Sequence, residues 1–245
     1  MNIALFYNRL RAKWEGKFIL ISLAVPALIA LTTRMAFENI EMYDSVESIY
    51  ALSIQISFML IVPLGVFIAH WDQKNLIHQA QLVLTKPVSR LKFFAVEYLS
   101  GVIVIGFIAA VTGGLTMVIS AIYNHFSWRL AIVFSCSLFT ILLLEAVMLL
   151  ISQVISQIKA LIVGMGICTG GLARLQTGYL IEKFFGIKNT HYILPNLQFG
   201  MLTSTHMAYN GSFPLDFLIK SFAVWVTNLV IIIVVAYFIF SRRNL

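Results

Sequence analysis

Charged residues are scarce in this sequence. Only 11% of its 245 residues are Asp, Glu, Lys or Arg, whereas soluble domains contain about 25%. Hydrophobic residues make up 60% of the chain. So few charged side chains cannot cover the usual surface of a soluble domain. The composition therefore predicts a protein that lies in a lipid bilayer.

Other features are missing as well. The two cysteines, Cys136 and Cys168, both fall inside apolar runs, which favours packed side chains over a disulfide or a metal pair. The sequence contains no G-x-x-x-x-G-K-[ST] pattern, so the chain does not bind ATP with a phosphate-binding loop. No internal repeat, low-complexity tract or soluble domain is visible. We expect one membrane domain over 1–245.

What the sequence does contain is six apolar runs. A membrane-spanning helix needs about 20 mostly apolar residues. The runs predict an all-α membrane protein with six transmembrane helices, five being the minimum. Their approximate bounds are 18–33, 50–69, 98–122, 130–151, 160–174 and 221–240.

The basic residues predict the orientation of these spans. The formal net charge is +7, and the lysines and arginines lie at the ends of apolar runs, which favours membrane topology over nucleic-acid binding. Most of them fall in cytoplasmic segments if the N-terminus is cytoplasmic, and the acidic residues Glu38, Glu41, Asp44 and Glu47 then lie outside. With six spans both termini face the cytoplasm.

The first 17 residues have helical periodicity. Arg9 and Arg11 lie off an apolar face, which consists of Ile3, Phe6, Tyr7, Leu10 and Trp14. This pattern predicts an amphipathic helix over 1–17 that lies in the inner headgroup layer, with Trp14 at the interface. The alternative is an ordinary positively charged flank of the first span.

The segment 175–219 is long for a simple outer loop. Its apolar pieces, such as Tyr179-Leu180-Ile181 and Tyr192-Ile193-Leu194-Pro195, are too short to cross a bilayer. Short re-entrant or interfacial helices fit such pieces if protein shields their backbone. We therefore expect short re-entrant helices between the fifth and sixth spans.

Glu145 lies deep in the fourth apolar run. A charge at that depth costs at least about 2.5 kcal/mol, so the carboxylate should be paired, protonated or facing a cavity. It is either a carboxylate on the substrate path or in coupling, or a hydrogen-bonded group that holds helices together. Asn228 in the sixth run and Gln55 in the second run are candidate partners.

Glycines recur in two of the runs. Gly101 and Gly106 are among those in the third run, and further glycines lie in the fifth. Small residues allow helices to approach closely. Packing is therefore the simpler interpretation, and a hinge in the fifth run is the alternative.

Two local motifs resemble those of a known family. Leu82-Val83-Leu84-Thr85-Lys86-Pro87-Val88-Ser89-Arg90 is similar to an LL-x-x-P-x-S-R segment, and Phe240-Ser241-Arg242-Arg243-Asn244-Leu245 is similar to an F-x-R-R-D-L ending. Tyr192-Ile193-Leu194-Pro195-Asn196 is similar to a Pro-Asn segment before the last span. With these motifs and its topology, nearly the whole chain resembles the membrane subunits of type-2 ABC exporters, the ABC-2 permease family.

The chain also departs from that family. The stretch from Asp72 to Gln81 lacks the Gly-Thr pair that is frequent upstream of the proline, and Glu97 stands where a lysine is common. These departures concern the coupling surface more than the fold.

The resemblance implies a transporter subunit that is not itself an enzyme. Two such subunits, expected to form a homodimer, would bind two copies of a cytoplasmic ATPase subunit in the bacterial inner membrane. ATP and Mg would be bound by that partner, and this chain would hold no cofactor or metal. The cargo stays open among lipids, peptides, drugs and glycans, and the motifs also resemble a group linked to multicopper-enzyme maturation.

The same resemblance assigns the candidate coupling residues. The loop at 70–93 would be the main contact with the ATPase, and the turn at 152–159 a second one. The first set comprises Asp72, Lys74, Lys86, Pro87, Ser89, Arg90 and Lys92. The second set comprises Gln157 and Lys159.

Two alternative functions remain open. One is an intramembrane enzyme that uses Glu145 with His70 or His78, although these histidines lie at the inner rim and Glu145 nearer the middle of the bilayer. The histidine spacing matches no firm metal-ligand pattern. The other is a membrane anchor that recruits a cytoplasmic protein through the loop at 70–93 without transport.

Overall fold

The structure is a computed structural model. It describes residues 3–14, 88–124, 126, 128–155, 159–160, 174–188 and 215–242, with scattered helical positions between 24 and 38 and between 162 and 167. These residues form five helices of 12 or more residues and contain no β-strand, as the apolar runs predict. The helices are α1 (Ile3–Trp14), α2 (Arg90–Ile122), α3 (Trp128–Val154), α4 (Arg174–Phe185) and α5 (Leu215–Arg242).

Within this part of the chain, two helical segments are long and apolar enough to cross a membrane. They are α2, with 33 residues, and the 21-residue segment Phe222–Arg242 of α5. A shorter apolar segment, Phe139–Val154, lies in α3. These segments favour a membrane protein. The predicted runs 98–122, 130–151 and 221–240 fall within α2, α3 and α5, while the runs at 18–33, 50–69 and 160–174 lie wholly or mostly outside the described residues.

Helix α2 begins before the apolar run that predicts it. Ser89 is the N-cap with extended backbone angles (φ −68°, ψ 147°), and its Oγ accepts a hydrogen bond from the Lys92 backbone N–H at 3.3 Å. The Phe93 N–H donates to the Ser89 carbonyl at 3.1 Å. A hydropathy pattern misses this first segment because it carries Arg90, Lys92 and Glu97, so the cap residue defines the start of the helix.

Replacing Ser89 by alanine should therefore destabilise the protein by about 1 kcal/mol, since the N-cap acceptor is lost. Thermal unfolding in mild detergent measures the effect. Ser241→Ala is the matched control, because the Ser241 hydroxyl donates to the Phe238 carbonyl of its own helix at 2.9 Å and does not cap a helix N-terminus. An equal loss in both variants would contradict the capping role.

Three helices, α2, α3 and α5, share the main apolar core. Its buried members come from all three helices and from the residues that follow α3. They are Ile105, Ala109, Ile141, Leu143, Leu144, Val147, Met148, Ile151, Ala160 and Trp225. Trp225 stands edge-on to Phe139, with 5.4 Å between the ring centroids. The core therefore fixes α3 between the other two helices.

A second cluster closes one end of the bundle. Phe93 of α2 stacks on Phe240 of α5, with ring centroids 5.8 Å apart, and Phe94 meets Tyr237 at 5.6 Å. Leu5 of α1 packs against the same cluster. The start of α2 and the end of α5 thus meet, and we call this part of the molecule the Arg90 end.

The opposite end of α2 carries a polar contact. Arg34 Nε donates to Glu38 Oε1 at 2.9 Å, and the Tyr123 hydroxyl donates to the same oxygen at 2.8 Å. The hydrogen bond from Arg34 lowers the pKa of the exposed Glu38 carboxyl. This contact favours the fold above the ordinary pKa of a glutamic acid and is lost as the pH falls through the lowered value. The predicted topology also puts these segments on one side of the membrane.

Helix α4 lies in the segment for which we predict short re-entrant helices. Its 12 residues extend about 18 Å, well short of a bilayer core of about 30 Å. It ends at Gly186, whose positive φ of 68° suits glycine and whose N–H donates to the Glu182 carbonyl at 2.9 Å. The predicted piece 179–181 is part of this helix, and 192–195 lies outside the described residues.

Candidate functional site: a buried ionic cluster

Helix α1 packs along the first half of α2. Leu5 contacts the aromatic cluster of the Arg90 end, and the Trp14 ring stands edge-on to Phe107 with centroids 4.8 Å apart. Ile3 and Tyr7, on the predicted apolar face, are exposed. Exposed apolar side chains suit contact with lipid. The position of α1 in the headgroup layer stays a prediction. The other side of α1 faces the protein.

That side carries Arg9 and Lys13, one helical turn apart and therefore on one face. Arg9 Nη2 lies 2.5 Å from Glu97 Oε2, and Arg9 Nε donates to the same oxygen at 2.6 Å. Lys13 Nζ lies 3.0 Å from Glu97 Oε1 and donates to the Glu97 carbonyl at 3.3 Å. Two cations of α1 therefore share one carboxylate of α2.

Glu145 of α3 is the fourth member. Its Oε1 lies 3.8 Å from Lys13 Nζ, so the ammonium stands between two carboxylates. The exposed fraction of each residue is 8% for Arg9, 6% for Lys13, 2% for Glu97 and 0% for Glu145. We call these four residues the ionic cluster. As two cations and two carboxylates, they carry no net charge when all are ionised.

Gly101 makes the approach of Glu145 possible. A Cβ at position 101 would overlap the Glu145 carboxylate, whereas one at Gly106 would meet nothing within 4 Å. One turn from Gly101, the Tyr98 hydroxyl donates to the Leu142 carbonyl of α3 at 2.9 Å. Helices α2 and α3 are therefore in close contact at the level of the cluster, and the predicted packing role of glycine applies to Gly101.

The two carboxylates of the ionic cluster are arranged around one ammonium group. Lys13 Nζ lies 3.0 Å from Glu97 Oε1 and 3.8 Å from Glu145 Oε1. No group of three or more histidine, cysteine or acidic side chains that could hold a metal occurs in the part of the chain that the structure describes. The cluster joins α1, α2 and α3 through buried charges.

The predicted coupling residues divide into two groups. Asp72, Lys74, Lys86, Pro87 and Gln157 lie outside the described residues, as do Gln55, His70 and His78. Lys92 and Lys159 are exposed, and Ser89 is the exposed N-cap of α2. Asn228 is half-buried on α5, and its pairing with Glu145 stays a prediction.

Arg90 has a contact within the protein. Its Nη1 donates to the backbone carbonyl of Ser241, near the end of α5. The last carbonyls of a helix lack partners within the helix and carry partial negative charge. Arg90 therefore ties the start of α2 to the end of α5, a role that the sequence analysis did not predict.

Arg9, Lys13 and Glu97 are the cluster residues that sequence reasoning missed as a site. Two signals were present: cations at positions i and i+4 of a predicted amphipathic helix, and an acidic residue close to an apolar run. Neither signal indicates that the cations of α1 contact Glu97. In the sequence, Glu97 is notable only as a departure from the family that the motifs resemble, in which a lysine is common at this place.

No model of a known protein family matches the chain, and no characterised protein matches it in sequence.

Proposed function

We propose that the chain is the membrane-spanning permease subunit of an ABC exporter. The supporting observation is that the two motifs of the resemblance touch. Arg90, which ends the first motif, donates to the carbonyl of Ser241 in the second motif, 151 residues away. Phe93, just after the first motif, stacks on Phe240, the first residue of the second.

The Arg90 end also offers a basic surface. Lys92 is exposed, and Arg242 is exposed with its guanidinium 4.1 Å from the centroid of the Phe238 ring. Exposed cations beside apolar spans are typical of the cytoplasmic side of a membrane protein. They would attract an acidic surface of a soluble partner. This supports ATPase binding through the segment 70–93, whose last four residues are the first of α2. A second contact at 152–159, which begins in the last residues of α3, is also part of the proposal.

In this proposal the chain of 245 residues has six spans, both termini in the cytoplasm and short re-entrant helices before the last span. Two copies form the permease in the bacterial inner membrane and bind two ATPase subunits, which hold the ATP and Mg. Closure of the ATPases tilts the spans and opens a path outward between the two copies, near the second and fifth spans. The chain itself carries no catalytic group.

Lys92→Glu tests the proposed docking surface. We expect the variant to bind the ATPase at least about tenfold more weakly, because reversal of an exposed charge places like charges together. The measurement is the amount of Walker-type ATPase that co-purifies with the tagged chain from its native host. Arg90 is a poorer probe, since its replacement would also break the contact with Ser241.

Lys220→Glu is the matched control, an exposed lysine at the opposite end of α5, and it should retain the ATPase. Full retention by the Lys92 variant would contradict the docking assignment. If no nucleotide hydrolase co-purifies with the unaltered chain, the exporter proposal fails. ATPase binding without ATP-driven transport would favour a recruiting anchor, and turnover of a substrate by the chain alone would favour an intramembrane enzyme.

A further inference from the structure

The ionic cluster contains two cations that differ in how they hold Glu97. Arg9 presents two nitrogens to one oxygen, Oε2, at 2.5 and 2.6 Å. Lys13 approaches the other oxygen, Oε1, at 3.0 Å. The planar guanidinium of arginine fixes the geometry of such a pair, whereas the lysine ammonium is a compact charge on a flexible stem. Glu97 thus stays paired with Arg9 even if Lys13 moves.

Glu145 is the second carboxylate near Lys13. It is fully buried on α3, and the ammonium of Lys13 lies 3.8 Å from its Oε1. A carboxylate that is buried among apolar helices requires a counter-charge to stay ionised. A movement of the ammonium toward Glu145 would strengthen that pair, and Arg9 would still neutralise Glu97.

The Glu145 carboxylate is fully buried and lies against α2 at Gly101. The absence of a Cβ at Gly101 lets this carboxylate lie directly on the α2 backbone. Among the described residues, the charged and titratable side chains near this point include Arg9 and Lys13 of α1, Glu97 and Tyr98 of α2, and Glu145 of α3. A small displacement of α3 along α2 changes the distance from Glu145 to Lys13 directly.

We propose that Lys13 is a shared counter-ion that exchanges between Glu97 and Glu145 when α3 shifts against α2 during the transport cycle. Lys13 and Glu145 are then positioning residues, and the exchange keeps both carboxylates paired in each arrangement. This inference rests on the proposed exporter function, because it assigns the exchange to motion that is driven by the ATPase partner.

The experiment measures that motion without a cargo. Spin labels are attached at Leu99 of α2 and Val154 of α3, both exposed, in the full complex with Cys136 and Cys168 replaced by serine. The probe is ATP with vanadate. In the otherwise unaltered complex the distance between the labels should change on addition of the probe. In Lys13→Met this change should be lost although the ATPase still co-purifies with the chain.

Rescue and control variants separate exchange from simple structural support. Lys13→Arg keeps the charge and should retain part of the distance change. Lys13→Met combined with Glu145→Gln removes both members of the pair and should regain the melting temperature of the unaltered complex but not the distance change. Lys183→Met, which alters an exposed cation of α4, should behave as the unaltered complex.

A normal distance change in Lys13→Met would overturn the exchange while leaving the exporter function intact. Restoration of the distance change by the double variant would also overturn it, because Lys13 would then only neutralise a buried charge. If the unaltered complex binds no ATPase, or shows no distance change with ATP and vanadate, the proposed function fails and this inference fails with it.

Discussion

Replacing Glu97 by glutamine is expected to destabilise the protein by about 3–5 kcal/mol. The change removes the carboxylate that both Arg9 and Lys13 contact at 2.5 to 3.0 Å and leaves a net positive charge in a buried site. Removing one partner of a buried ion pair has a cost of that size, because the remaining charge keeps its desolvation penalty. Thermal unfolding of the purified chain in mild detergent measures the loss.

Two further variants make the result specific to the cluster. Glu182→Gln removes an exposed carboxylate from α4 and should change stability by less than about 0.5 kcal/mol. The double variant Arg9→Met with Glu97→Gln leaves Lys13 to pair with Glu145, so it should recover most of the stability. Equal effects of Glu97→Gln and Glu182→Gln would show that the buried charges contribute nothing.

Gly101→Ala is expected to destabilise the protein by about 1–3 kcal/mol, the usual cost of an extra methyl group in a packed interior. The new Cβ would occupy the space of the Glu145 carboxylate. That carboxylate is fully buried, and a movement away from α2 changes its distance to Lys13. The measurement is again thermal unfolding in mild detergent.

Gly106→Ala is the matched control in the same helix. A Cβ at that position meets nothing within 4 Å, so the substitution should gain about 0.5–1 kcal/mol from the higher helix propensity of alanine. Opposite signs for the two substitutions are the expected result. A stabilising Gly101→Ala would mean that Glu145 has room to move without loss.

The helices of the bundle could be predicted where the sequence is strongly apolar. The runs at 98–122, 130–151 and 221–240 all lie within helices, because apolar residues in a long uninterrupted series have few other stable arrangements in a bilayer. The early start of α2 could not be predicted from hydropathy. It depends on charged residues whose partners, Ser241 for Arg90 and α1 for Glu97, come from distant parts of the chain.

The ionic cluster also could not be predicted in full from the sequence. A helical wheel of α1 treats each side chain as if its surroundings were water or lipid, so Arg9 appears on the outward side. In the structure that side packs against α2, and Arg9 is buried. Glu145 could be predicted as a carboxylate in need of a partner, but its contact with Lys13 depends on tertiary packing. Gly101 and Gly106 lie in the same apolar run, and the sequence does not show which of them contacts another helix. The structure shows that Gly101 lies against Glu145 of α3.

The hydrogen bond from Arg90 to the Ser241 carbonyl can form only late in biosynthesis. The ribosome completes Ser241 long after Arg90 has emerged, since 151 residues separate them. Until then the aromatic rings of Phe93 and Phe94 lack their cover from Phe240, and apolar surface of this kind makes an unfinished chain prone to misassembly. A nascent chain interrupted before α5 therefore displays an uncovered aromatic patch that membrane chaperones and proteases can recognise.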